Sequence, residues 1–246
     1  MNLTRRHLLC APLLAAFPAI ANAGAAPLRM VVIELMPWAG RRKDGQLDGA
    51  AVDMAALLSS ISGLPIVTRA VPYARAIAML ASGDADLMLA VDATAEAGLP
   101  APLATVGAED VVIIGKRGAR HANPDELCGH QVALLRRARF ALSLPSCVRR
   151  YETSSYEQGL HMLLQGRLDG VAGVRATMDY AIRHLGLKAA DLDEALVIGQ
   201  ANISLYLSAK AAAMPAVAAR LQQACRQVQR QKKMPALIAQ YRQQRD

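Results

Sequence analysis

The chain has 246 residues, of which 53% are hydrophobic and 20% are charged, and its formal net charge is +8. This composition excludes a disordered chain and predicts a folded protein with a substantial core. The Lys and Arg residues are scattered and aromatic residues make up only 4% of the chain, which argues against nucleic acid as a partner. A basic cleft for an anionic solute fits the charge better.

The first 23 residues have the features of an export signal. Arg5 and Arg6 precede an apolar stretch at 8–20, and Ala21-Asn22-Ala23 provides the small residues that a signal peptidase reads. The stretch is shorter than the roughly 20 apolar residues that a membrane anchor needs. We therefore expect residues 1–23 to be a signal peptide, leaving about 220 residues with a net charge of +6 in the periplasm.

The route of export is left open by the sequence. Thr4-Arg5-Arg6-x-Leu8-Leu9 resembles a twin-arginine signal, which exports folded proteins. An ordinary Sec signal that contains two arginines explains the same residues. Cys10 precedes the apolar core of the signal and lies too early to be a lipid-attachment cysteine.

A strand–helix–strand–helix–strand unit is predicted in the first part of the mature chain. The first strand is predicted at 30–35, and apolar residues then recur at helical spacing at 51, 54, 55, 58 and 61. A second helical pattern ends near Gly83, where a left-handed residue is needed. The run 87–91 is apolar without alternation, as in a parallel strand that is covered on both faces.

A short phrase of this unit recurs later in the chain. Leu80-x-x-Gly83-x-x-Asp86 is matched by Leu163-x-x-Gly166-x-x-Asp169, again after a helical pattern and before apolar residues. The repeat predicts two lobes of similar construction with a cleft between them. We expect both aspartates to be structural and to hold the helix-to-strand turns.

The remaining elements continue the α/β pattern. Strands are predicted at 111–114, 132–135 and 203–207, helices at 177–185 and from Pro215 with an interruption at Pro235, and a short helix start at Asn123-Pro124. The chain contains no low-complexity linker. We therefore expect the lobes to be joined by strands near 111–114 and 203–207.

Three cysteines remain after the signal. Cys128 precedes the strand at 132–135, and Cys147 precedes Val148-Arg149-Arg150-Tyr151. If these are adjacent parallel strands, both sulfurs lie at the same end of the sheet, and an oxidising compartment permits a disulfide. Cys225 falls on the apolar face of a helical pattern and is expected to be a small buried hydrophobe.

Five phrases occur in an order and spacing that are typical of one family of exported proteins. They are Asp44-Gly45-x-Leu47-Asp48-Gly49-x-x-Val52-Asp53, Val71-Pro72-Tyr73-x-Arg75, Leu80-x-x-Gly83-x-x-Asp86, Asp125-Glu126-Leu127-x-Gly129-x-x-Val132 and Gly166-Arg167-x-Asp169. Together they resemble the bacterial periplasmic solute-binding proteins of the polar amino-acid importer branch. The resemblance covers nearly the whole mature chain.

The resemblance implies a type II periplasmic-binding-protein fold, which is α/β and two-lobed. Each lobe would be a mainly parallel sheet with flanking helices, and the second lobe would be inserted in the first. Lobe 1 would comprise residues 27–114 plus 204–246, and lobe 2 residues 115–203. The family delivers solutes to an ABC-type membrane permease, and we expect a monomer without a cofactor.

Two departures from the family pattern concern the ligand. Members that bind α-amino acids carry an Arg in a Thr-x-x-Arg phrase after the first-lobe strand, where this chain has Thr94-Ala95-Glu96-Ala97. They also carry an Asp about five residues after Asp169, where this chain has Val174. The resemblance therefore implies a ligand other than an ordinary α-amino acid.

Polar residues at predicted strand ends are the candidates for a ligand site, because pockets favour lobe interfaces. They are Glu34, Trp38, Arg75, Asp92, Arg136, Arg139 and Arg175. Arg holds a carboxylate through its planar fork, which predicts a small polar or anionic organic solute. Each candidate has a structural alternative, such as a salt bridge for Arg75 or solvation for all but one of the arginines at 136–139. Trp38 follows Pro37 in a loop and is expected to be a lid or stacking residue.

Enzymatic function is not expected. The sequence has no Gly-x-Ser-x-Gly elbow, no His-Glu-x-x-His helix and no phosphate loop, and its histidines are scattered. Two alternatives stay open: a periplasmic enzyme resembling cyclohexadienyl dehydratase, with Glu34 or Asp92 as acid or base, and a sensor partner that presents ligand to a membrane receptor. For a solute-binding protein, the expected mechanism is capture by closure of two rigid lobes.

Overall fold

A computed structural model describes residues 26–92, 98–118, 121–136 and 144–243. The strands are β1 Leu28–Ile33, β2 Gly40–Arg41, β3 Leu47–Asp48, β4 Ile66–Val71, β5 Leu87–Val91, β6 Ala104–Gly115, β7 Gln131–Leu135, β8 Arg149–Thr153, β9 Gly170–Val174 and β10 Leu196–Leu207. The α-helices are α1 Ala50–Ser62, α2 Tyr73–Ser82, α3 Tyr156–Leu164, α4 Arg175–His184, α5 Ala209–Ala212, α6 Pro215–Arg230 and α7 Lys233–Gln243.

Eight of these strands form one sheet in the order β4-β1-β5-β10-β6-β9-β7-β8. At one end β4, β1 and β5 are parallel to one another, and at the other end β8, β7 and β9 are parallel. Between these two blocks lie β10 and β6, which are antiparallel to each other and to the adjoining strand of each block. The fold is therefore α/β with two lobes, as expected, and β6 and β10 pass between them.

Both passing strands are longer than predicted. Each has 12 residues, whereas the apolar runs covered only 111–114 and 203–207. The missed parts contain polar or small residues, including Glu109, Asp110, Gln200 and Asn202. A search for continuous apolar runs stops at such residues, although a strand with one open face alternates polar and apolar side chains.

The inner strands of the sheet are buried on both faces in each lobe. In the first lobe α1, α6 and α7 cover one face around Met54, Leu58 and Ile203, and α2 covers the other face around Leu80 and Met88. In the second lobe α3 and α4 cover one face, and the loop that carries the short 3-10 helix Pro124–Leu127 covers the other. Each lobe therefore has its own apolar core.

The repeated phrase makes the same turn in both lobes. The glycine of each copy has a positive φ, 78° in the first and 71° in the second. The Asp86 N–H donates to the Arg29 carbonyl (2.8 Å) and its Oδ2 accepts the Arg29 N–H (2.9 Å). Asp169 and Gln131 exchange the same pair of bonds at 2.9 and 2.7 Å. The structural role predicted for both aspartates is confirmed.

Asp86 also binds the side chain of Arg29, and this predicts a pH dependence. Arg29 Nε and Nη2 each lie 3.0 Å from an oxygen of the largely buried Asp86 carboxylate, and these hydrogen bonds lower the pKa of Asp86. Because the pKa of Asp86 is lower in the folded than in the unfolded state, the ionised carboxylate stabilises the fold. This stabilisation is fully present above the unfolded pKa of about 3.9 and is lost as the pH falls through the folded pKa. Asp86→Asn should therefore lower the urea midpoint at neutral pH, and the difference from wild type should shrink below about pH 4. The exposed Asp125→Asn serves as control, and a pH-independent difference would contradict the prediction.

The predicted disulfide is present. Cys128 and Cys147 are bonded with their Cα atoms 4.9 Å apart, at the starts of the adjacent parallel strands β7 and β8. The Gly129 N–H also donates to the Cys147 carbonyl at 3.0 Å. Cys225 is fully buried on α6, as its helical pattern predicted.

The C-terminal helical tail breaks at a different place from the predicted one. The interruption lies at Gln231 and Lys232, the latter with φ 51°, and the prediction of a break at Pro235 was wrong. Pro235 lies in the first turn of α7, where a residue without an N–H is tolerated.

Hydrogen bonds of Tyr241 connect α7 to the start of α1. Its hydroxyl lies 2.6 Å from Asp48 Oδ1 and 3.0 Å from Asp53 Oδ2, and accepts the Gly49 N–H at 3.2 Å. Burial and these carboxylates raise the pKa of Tyr241. The Asp48-Gly49-x-x-Val52-Asp53 phrase thus serves to anchor the last helix.

Within the described residues no helix is long and apolar enough to cross a membrane. The expected signal at 1–23 lies outside the described residues. The signal peptide and the boundaries of the lobes stay predictions.

Candidate functional site

The carboxyl ends of the parallel strands in both lobes point towards the middle of β6 and β10. The end of β5, Val91, pairs with Ile203, whereas the end of β9, Val174, pairs with Val111, which in turn pairs with Gly199. Ile203 and Gly199 are four residues apart on β10, about 13 Å at roughly 3.3 Å per residue. In open α/β sheets, ligands bind at the carboxyl ends of parallel strands. This gap is therefore the candidate site.

Three of the predicted residues lie together at the edge of the gap formed by the first lobe. Glu34 follows β1, Arg75 is in the first turn of α2 after β4, and Asp92 follows β5. Because β4, β1 and β5 are adjacent and parallel, their carboxyl ends share one edge of the sheet. Glu34 and Arg75 are exposed and Asp92 is half-buried.

Asp92 is held in place by β10. Its N–H donates to the Asn202 carbonyl at 2.7 Å, and its Oδ1 accepts the Tyr206 hydroxyl at 2.8 Å. Among the ion pairs of the described residues none involves Asp92, Glu34 or Arg75.

The middle of the two long strands adds polar groups that the sequence analysis missed. Gln200 and Asn202 are exposed and lie on the same face of β10 as Tyr206, by the two-residue period of a strand. Gln200 pairs with Asp110 in the sheet, and its Nε2 donates to Asp110 Oδ1 at 3.3 Å. The alternation of polar residues at 200 and 202 with apolar residues at 201 and 203 was the available signal.

Two of the predicted arginines of the second lobe are paired with carboxylates of the chain itself. Arg175 Nε lies 3.2 Å from Asp110 Oδ2, with side-chain exposures of 26% and 33%. Arg136 Nε lies 3.6 Å from Glu152 Oε2, and both of these side chains are more than half exposed. The Arg175 pair joins the start of α4 to β6, and the ligand-binding roles of Arg136 and Arg175 stay predictions. Arg139 lies outside the described residues, as does Thr94-Ala95-Glu96-Ala97.

Trp38 does not have the loop-surface position that was expected for a lid. It is only 8% exposed and packs in the core cluster of the first lobe. Its indole N–H donates to Thr177 Oγ1 on α4 of the second lobe at 2.9 Å. The sequence placed it after Pro37 in a loop but gave no sign that the loop folds inward, so the expectation of a stacking surface is corrected to a buried contact between lobes.

A second set of charges lies beside β6, close to α4 and α7. Arg242 Nη2 donates to Glu109 Oε2 at 3.0 Å, and Arg242 Nε lies 3.3 Å from Asp179 Oδ2. Burial raises the pKa of both carboxyls, although the Arg242 guanidinium opposes this shift.

Other features of the described residues do not form a chemical centre. They contain no group of three or more His, Cys, Asp or Glu side chains able to hold a metal ion. A largely apolar groove of about 500 Å³ lies between α1 and α7, away from the strand ends.

Several solved structures have a fold similar to that of this chain. The VFT2 domain of BvgS from Bordetella pertussis matches with a TM-score of 0.71 at 19% identity, over 87% of this chain and 92% of that one. ArgBP from T. maritima matches with a TM-score of 0.67 at 15% identity, over 87% and 94%. The substrate-binding protein of an amino acid ABC transporter matches with a TM-score of 0.62 at 12% identity, over 89% and 100%.

A histidine kinase sensor domain with similarity to periplasmic binding proteins also matches, with a TM-score of 0.69 at 15% identity over 87% of this chain and 95% of that one. The sequence matches no protein-family model and no curated relative. The chain thus has a periplasmic-binding-protein-like fold of two lobes. That fold occurs in transporter binding proteins and in sensor domains alike.

Proposed function

We propose that the chain is an exported solute-binding protein that captures a small polar or anionic organic solute between its two lobes. The observation that carries the proposal is that the parallel strands of both lobes end at the same gap beside β6 and β10. Residues from both lobes and from the joining strands then face one gap, and ligand pockets favour such interfaces of domains.

The polar groups of the gap suggest which atoms a solute needs. Arg75 lies in the first turn of α2, where the backbone N–H groups also favour an anion, and its guanidinium suits a carboxylate. Asp92 and the amides of Gln200 and Asn202 suit hydroxyl, amide or amine groups of the same molecule. The two missing halves of the amino-acid clamp argue for an organic acid other than an ordinary α-amino acid.

Capture by closure follows from the position of these groups. Arg75 and Asp92 belong to the first lobe and Arg175 to the second, so a solute that contacts both sides favours the closed arrangement. Ligand shifts the balance only by binding the closed form better than the open form.

We propose that the partner is an ABC-type permease, to which the protein delivers the solute. We also propose that the protein is monomeric and periplasmic. The likeness to BvgS VFT2 and to a histidine kinase sensor domain supports a second candidate, presentation of the solute to a membrane receptor. We propose binding without turnover. The alternative of a dehydratase-like enzyme would use Glu34 or Asp92 as acid or base.

The experiment is a thermal-shift screen of purified protein against dicarboxylates, hydroxy acids, neutral and cationic amino acids, and cyclohexadienyl acids. A solute at 100 times its Kd should stabilise the fold by about 2.7 kcal/mol, and hits are then measured by calorimetry and assayed for turnover. Stabilisation by acids supports the proposal. Preference for cations would contradict the anionic class, and product formation would favour the enzyme.

A further inference from the structure

We infer that Arg242, in the last turn of α7, is a positioning residue for the cleft. Its ion pair connects helix α4 of the second lobe to the first lobe. This inference rests on the proposed two-lobed binding site. It assigns to Arg242 an influence on the ratio of open to closed molecules. Arg242 does not touch the proposed solute, so its effect on binding would be indirect.

The contacts of Arg242 connect three elements. Its Nη2 donates to Glu109 Oε2 on β6 at 3.0 Å, and its Nε lies 3.3 Å from Asp179 Oδ2 on α4. The Arg242 and Asp179 side chains are 30% and 31% exposed, so the pair is partly shielded from water. Such a pair is screened less than one on the open surface.

Further contacts join the same two helices and the first-lobe core. Arg183 Nη2 on α4 donates to the Tyr241 carbonyl on α7 at 3.4 Å, and Trp38 Nε1 donates to Thr177 Oγ1 at 2.9 Å. Val174 and Ala176 pack in the first-lobe core cluster, although they belong to the end of β9 and the start of α4. One side of α4 thus packs against the first lobe.

Opening of the lobes would act on these contacts unequally. Glu109 and Arg242 both lie in the first lobe, so their bond stays intact when the lobes separate. The other side of α4 packs in the second-lobe core through Met178 and Ala181, so Asp179 should move with the second lobe and its ion pair with Arg242 should break. The Arg242–Asp179 pair therefore favours the closed arrangement, whereas the Arg242–Glu109 bond fixes the Arg242 side chain in position to form it.

The test measures the distance between the lobes in solute-free protein, so it does not require the solute to be known. Spin labels are attached after Ser60→Cys on α1 and His161→Cys on α3, both of which are exposed positions. The buried Cys225 stays unlabelled. Arg242→Gln, Asp179→Asn and the double variant are compared with the charge-keeping Arg242→Lys, and with Arg226→Gln, which changes an arginine bonded to Gln222 within α6.

We expect Arg242→Gln and Asp179→Asn each to raise the ratio of open to closed molecules about tenfold, within the coupling range of a salt-bridge network. The double variant should add little to either, Arg242→Lys should restore part of the closed population, and Arg226→Gln should match wild type. Unchanged distances in both single variants would overturn the inference, even if urea midpoints fall. Shifted distances in a protein for which the screen finds no solute would support Arg242 as the positioning residue while contradicting the proposed function.

Discussion

Replacing Cys128 and Cys147 together by serine is expected to lower the free energy of unfolding by about 3 kcal/mol, because the bond closes a loop with a sequence separation of 19. Cross-linking restricts the unfolded chain more than the folded one. For a chain of this size the loss corresponds to a fall in Tm of roughly 6–12 °C. The effect should be confined to stability, since the bond lies at the amino ends of β7 and β8, opposite the end that faces the gap.

Reducing agent provides the control for this prediction. Dithiothreitol should lower the Tm of the wild-type protein towards that of the double variant and leave the double variant unchanged. A wild-type Tm that is insensitive to full reduction, verified by thiol titration, would show that the cross-link does not stabilise the fold.

The second large effect is expected at the proposed site. Arg75→Ala should weaken solute binding at least tenfold, because loss of a desolvated anchor leaves the charge of the solute unpaired, at a cost on the order of 2–5 kcal/mol. The fold should survive, since the Arg75 side chain is exposed and the hydrogen bond of its backbone N–H to the Pro72 carbonyl (2.9 Å) is kept in alanine. Calorimetry with a hit from the thermal-shift screen measures the loss.

Two further variants separate charge from geometry. Arg75→Lys keeps the charge but removes the planar fork, so it should recover only part of the affinity. Arg69→Ala changes an exposed arginine within β4 rather than one at the start of α2, and this variant should bind like wild type. If Arg75→Ala binds the solute as tightly as wild type, Arg75 is not the anchor.

Features set by neighbouring residues were predicted well from the sequence. The side chain of Asn123 caps the 3-10 helix by accepting the N–H groups of Asp125 and Glu126, and the helix ends of the repeated phrase follow from glycine at positive φ. Helix α1 matches its apolar periodicity. Each of these depends on contacts within about one turn of the chain, which a sequence pattern contains.

Contacts between distant residues were not predictable in the same way. The pairing of Arg175 with Asp110, which are 65 residues apart, and of Trp38 with Thr177, 139 apart, depends on which strands become neighbours. The polar middle parts of β6 and β10 were missed for a different reason: their alternation of polar and apolar residues is present in the sequence, but a search for continuous apolar runs stops at polar residues.

By itself the sequence determined the α/β alternation, the two similar lobes and the helix ends, because periodicity and turn residues act locally. It allowed a bond between Cys128 and Cys147 only if their strands were neighbours, which the tertiary structure decided. Only the tertiary structure decided which charged side chains of the gap are already paired, that Trp38 is buried between lobes, and that α7 reaches α4. Those outcomes depend on the register and order of eight strands, where the partner of each charge is chosen by proximity in space rather than along the chain.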